Sequence, residues 1–108
     1  MTLFTAQEEP GEEAAAGRAW LMEELERLRI EKGLPEETRW QVQAGRRETG
    51  PPGSGVRLTV TGFLIHALDP TGTALPLSCF VPLDDITDEE ERPGASLILS
   101  LWLDRALP

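Results

Sequence analysis

The sequence predicts an α+β domain: an N-terminal amphipathic helix packed on a four-stranded antiparallel sheet, in the order helix and then four strands. Three observations carry this. A helical pattern with a clear C-terminal stop fills residues 11–33. Runs of alternating apolar and polar residues follow, separated by glycine and proline. One separator, Asp69-Pro70-Thr71-Gly72, has each residue where a tight type I turn prefers it.

Residues 1–10 are expected to be a flexible tail, with a short extended piece at Leu3-Phe4, and residues 11–108 a single α+β domain. Pro10 suits a helix start, where its missing N–H costs little. Glu12 and Glu13 then favour the positive end of the helix dipole. Leu21, Leu25 and Leu28 form an apolar stripe at i, i+4, i+7, flanked by Trp20 and Met22. Glu23 and Glu24 lie within pairing distance of Arg27, for a few tenths of a kcal/mol each. Gly33, Leu34 and Pro35 read as the left-handed residue, the hydrophobic contact and the stop of a helix C-terminus.

Arg39–Ala44 alternates as a half-buried strand, with Trp40, Val42 and Ala44 inward. The glycine- and proline-rich stretch 45–55 is expected to be a long loop carrying Arg46 and Arg47. In the next strand the apolar set moves from Val56, Leu58 and Val60 to Phe63, Ile65 and Ala67, which predicts a bulge at Gly62. With Gly72 left-handed, the hairpin register sets Ile65 opposite Leu77 and Phe63 opposite Cys79. In the third strand Leu75, Leu77, Cys79 and Val81 alternate inward. Pro76 and Pro82 direct their missing N–H groups away from the second strand, so the third strand is a sheet edge. Leu97, Leu99, Leu101 and Leu103 alternate with Ile98, Ser100, Trp102 and Asp104, which predicts a fourth strand. It is expected to pair beside the first strand or with a second copy, with Trp102 and Ile98 outward.

The charge is unevenly placed. Net charge is −9, and six acids fall within the eight positions from Asp84 to Glu91. A field of this sign repels nucleic acid and anionic lipid, so neither is an expected partner. No apolar run approaches the ~18 residues of a membrane helix, and the acidic N-terminus lacks the pattern of a secretory signal. A cytoplasmic address is expected.

Catalytic, metal and cofactor chemistry finds little to use. The acidic stretch lacks the ligand spacing and central glycine of a calcium loop. It reads instead as an acidic crossover, with Asp85 or Thr87 capping a short helical turn through Asp88–Glu91. His66 is the only histidine and Cys79 the only cysteine, and the predicted register points them to opposite faces. No nucleotide-binding glycine motif is present.

Three groups of residues remain as candidates for contact with a protein partner. The first is the outer sheet face at Leu64, His66, Leu68 and Phe80; the second is Trp102 with Ile98. The third is the charged surface: Arg46 and Arg47, together with Arg57, for an acidic partner, and Asp84, Asp85, Asp88, Glu89, Glu90 and Glu91 for a basic one. The sequence therefore predicts a small acidic, non-enzymatic, homodimeric protein-binding module: an adaptor, a chaperone-like or immunity-type inhibitor, or an accessory subunit. Two alternatives stand beside it. One is a small-ligand carrier or small enzyme with a pocket between the helix and a curved sheet. The other is an acidic mimic of nucleic acid.

Overall fold

The computed structural model describes residues 2–7, 11–50, 53, 55 and 58–106. Pro10, Val56 and Arg57 lie outside them, as does the side chain of Pro76. The elements in chain order are β1 (Thr2–Ala6), α1 (Gly11–Glu31), β2 (Arg39–Thr49), β3 (Leu58–Leu68), β4 (Ala74–Pro82), α2 (Asp84–Thr87) and α3 (Arg92–Ala106). The four strands form one antiparallel sheet in the order β1-β2-β3-β4. The α+β class, the N-terminal helix and the four-stranded antiparallel sheet agree with the sequence.

Helix α1 ends as its sequence predicts. Gly33 is left-handed at φ +67°; its N–H donates to the Ile30 carbonyl, and the Leu34 N–H donates to the Arg29 carbonyl. Those two bonds make a Schellman motif. Ala14, Gly17, Leu21, Leu25 and Leu28 are the buried stripe. The Asp69 turn also holds: Gly72 has φ +86°, its N–H donates to the Asp69 carbonyl, and the Asp69 carboxylate accepts from the Thr71 and Thr73 N–H groups. Strand β4 is a sheet edge, and the Leu83 N–H bonds back to the Thr61 carbonyl while Pro82 faces out.

The fourth strand is a different segment from the one expected. Residues 92–106 form helix α3, burying Ala95, Leu99, Trp102 and Leu103 at i, i+4, i+7, i+8. Leucine is a strong helix former and the segment has one β-branched residue, so local preference favours the helix. Thr2–Ala6, expected as part of a flexible tail, takes the vacant strand position against Arg46 and its neighbours. That added strand converts Gly45–Thr49 from expected loop into the second half of β2, because its backbone now has partners on both sides.

No bulge occurs at Gly62. Pairing of β2 with β3 is unbroken from Arg39↔Leu68 to Thr49↔Leu58. Leu58 and Val60 consequently face away from the helices, and Leu58 is 66% exposed. The irregularity lies between β3 and β4, where the register shifts between His66 and Leu68. Ile65 therefore opposes Cys79, and Phe63 opposes Val81, two residues from the expected register. An even shift preserves the face of each side chain, so Cys79 and Val81 still point inward.

The core lies between one face of the sheet and the helices. Phe63, Ile65, Leu21, Leu25, Leu28, Ile86, Leu99 and Leu103 are all at most 1% exposed. No described helix is long and apolar enough to cross a membrane.

Candidate functional site

Helices α1 and α3 cover the same sheet face. Trp40, Val42 and Ala44 share a face with Phe63, Ile65 and Ala67 through their cross-strand pairs. Arg18 of α1 places its guanidinium 5.5 Å from the Phe63 ring centre, and Trp102 of α3 meets Trp40 with ring centres 6.3 Å apart. Both contacts are on that inner face. Among the described residues, no helix lies on the other.

The helix-free face is built in cross-strand rows. One row reads Phe4–Arg47–Val60, the next Ala6–Gly45–Gly62–Pro82, the next Gln43–Leu64–Phe80, and the last Gln41–His66–Ser78. The glycine pair leaves a furrow across the two central strands. Phe4 leans into it from one edge strand and Phe80 from the other. Their rings meet edge to face, with centres 6.2 Å apart and planes at 68°. The Arg47 guanidinium sits 4.4 Å from the Phe80 ring centre, a cation–π stack. Its Nε is buried without a hydrogen-bond partner.

Leu64, His66 and Phe80 thus share one half-buried surface, as expected, and Arg47 joins them there rather than standing in a loop. Phe4 is a member that the sequence did not flag. The signal for it is the register of β1 against Gly45, which residues 1–10 alone do not encode. Arg46 has the opposite parity and lies 3.6 Å from Glu48 on the helix side. Trp102 is a core residue at 7% exposure, and its indole N–H donates to the Leu77 carbonyl at 3.4 Å. Ile98 is 47% exposed and, with Leu77, Leu101 and Cys79, lines an open groove of ≈ 510 Å³ between β4 and α3.

The acidic residues do not converge. Asp84 and Asp85 open α2, whose N-cap is Leu83 with no side-chain bond, so the expected helical turn starts earlier than Asp88. Asp88 instead accepts from the Glu90 N–H. Glu89, Glu90 and Glu91 are exposed. Ile86, fully buried, pins this crossover to the core, and Arg92 donates to the Ile86 carbonyl at 2.7 Å. Among the described residues, no group of His, Cys, Asp and Glu side chains has a metal-holding arrangement.

His66 pairs with Ser78 on the outer face and Cys79 with Ile65 on the inner, so the two cannot meet. Burial pushes the Cys79 thiol up to about 11, against the opposing pull of Arg47. A thiol so placed stays protonated at neutral pH and is a poor nucleophile. Compared with known proteins, the chain matches no family, no curated protein and no solved structure.

Proposed function

We propose that this chain is a small non-enzymatic protein-binding module whose docking surface is the helix-free face of the sheet. The observation that supports this is the one-sided placement of the helices. Two helices pack on one face, while the other presents half-buried Phe4, Leu64, Val60 and Phe80 in a continuous patch. Contiguous apolar surface rimmed by polar residues, here Gln41, Gln43, His66 and Ser78, is the usual form of an interaction site. Adaptors, immunity-type inhibitors and accessory subunits all work through such a surface. Against a ligand carrier, the reading is supported by the burial of Leu21, Leu25, Phe63 and Ile65 in one core cluster shared by α1 and the sheet.

The test compares the wild type with a Gln43→Glu/His66→Glu variant as baits in native lysate. Both substituted side chains lie on the outer face, away from the core. Proteins retained by the wild type and lost by the variant support the reading. Sedimentation velocity reads the expected homodimer in parallel. A monomer that retains nothing in a face-dependent manner overturns the proposal.

A further inference from the structure

We infer that the helix-free sheet face receives an acidic protein segment bearing apolar side chains, and that Arg47, laid on the Phe80 ring, is the anchor for one of its carboxylates. This rests on the protein-binding reading above and gives the partner a chemistry.

Charge segregation is the first support. The chain carries 19 acidic residues and a net charge of −9. The outward positions of the four strands, from Phe4 through Arg47, Val60, Leu64 and His66 to Phe80, include no aspartate or glutamate. Glu48, the one acid within the strands, has the opposite parity and faces Arg46. Among the described residues the other acids sit on α1, on the turns, on the crossover after β4 and, as Asp104, on α3, leaving the described part of this face without an acid. A basic partner is drawn to the helical side of the molecule and an acidic one to this face.

The state of Arg47 is the second. Other basic residues have found carboxylates: Arg27 with Glu24 and Glu31, Arg29 with Glu26, Lys32 with Asp104. Among the described residues the Arg47 guanidinium has no carboxylate partner and its Nε has no hydrogen bond; it is stacked on the Phe80 ring. Stacking fixes the plane of the guanidinium, so little further ordering is needed for its terminal N–H groups to meet a carboxylate. The neighbouring Leu64, Val60 and Phe4 supply the apolar part of the recognition.

Two other occupants fit less well. Single-stranded nucleic acid needs open ring faces and many cations, and the Phe80 ring already lies between the glycine furrow and Arg47. A symmetric second copy would bury two Arg47 side chains in an interface without a carboxylate, at the cost of unpaired buried charge.

The test is selection of random displayed peptides on the immobilised full chain, followed by anisotropy titration of the enriched peptides. Enrichment of aspartate and glutamate beside leucine, isoleucine, phenylalanine or tryptophan is expected. Binding should fall about tenfold in Arg47→Gln, from loss of a charge-assisted pair, and less in Arg47→Lys. It should fall also in Gln43→Glu, which leaves Arg47 in place and keeps the test informative if the arginine variants unfold. A basic or neutral consensus overturns the inference, as does acidic binding indifferent to Arg47→Gln and Gln43→Glu; in both cases the protein-binding reading stands. A dimer dissolved by Gln43→Glu puts a second copy on the face and overturns it too. No enrichment over bare resin overturns both.

Discussion

Gly45 and Gly62 face each other across β2 and β3, and neither position has room for a side chain. A Cβ on Gly62 would strike the Val81 carbonyl oxygen and come within 2.9 Å of the Phe80 ring. A Cβ on Gly45 would strike the Thr5 carbonyl oxygen and the ring of Phe4. The aromatic rings take the place of the missing side chains, as aromatic neighbours do over glycines in other sheets.

Gly62→Ala is therefore expected to cost about 3 kcal/mol, the upper part of the usual range for overpacking. Its clash is with backbone on the strand that also holds Cys79 and Val81 in the core. Gly94→Ala is the control, in the first turns of α3 with nothing within 4 Å of its Cβ position. It should stabilise the fold by up to about 0.8 kcal/mol through helix propensity. Urea unfolding of the two variants reads both signs. A neutral Gly62→Ala would show that the furrow is not a packing requirement.

Ile86 and Leu97 separate the observed C-terminal arrangement from the strand that the sequence suggested. Ile86 is fully buried beneath the acidic crossover, and Leu97, which belongs to the inward leucine set of that strand, is 59% exposed on α3. Ile86→Ala is expected to destabilise by about 2–4 kcal/mol, and Leu97→Ala by less than about 0.5. Equal losses would place Leu97 in a buried strand and contradict α3.

These contrasts show which parts of the fold local chemistry encodes. Helix α1 was legible to its last residue because Gly33-Leu34-Pro35 is a local stop signal. The Asp69–Gly72 turn was legible for the same reason, and so was the free edge of β4. The C-terminal segment misled because leucine at every second position satisfies a strand pattern, while its helical stripe mixes Ala95, Leu99, Trp102 and Leu103 with exposed Leu97 and Leu101. Half of the candidate site was likewise readable. Leu64, His66 and Phe80 follow from strand alternation, but Phe4 and Arg47 join them only through long-range pairing of β1. Nothing within residues 1–10 states that register.

Asp69 ties stability to acid. The Thr71 hydroxyl first, then the Thr73 and Thr71 N–H groups, hold its carboxyl below the usual range. A carboxyl lowered by folding contributes stability above its unfolded value of about 4 and loses it as pH falls through the folded value. Asp69→Ala should lower Tm at neutral pH, and its deficit against wild type should shrink as pH drops below about 4. A deficit constant from neutral to acid would assign the effect to turn geometry alone.

Cys79 should do the reverse at alkaline pH. Burial raises its thiol to about 11, so the folded state favours the protonated form. A raised value contributes stability that is whole below the unfolded thiol's value, about 8.5, and is lost as pH rises through the folded one. The sequence suits the measurement: it has no tyrosine, and Lys32 is its only lysine, so few other side chains titrate in that window. Urea unfolding of the wild type should weaken between about pH 8.5 and about 11, and Cys79→Ala should flatten that decline. A thiol reagent at neutral pH gives the kinetic counterpart, slow with the folded protein and fast in denaturant. Equal rates in the two states would mean that the thiol is open to the groove beside Leu77 and Ile98, and that burial does not hold its proton.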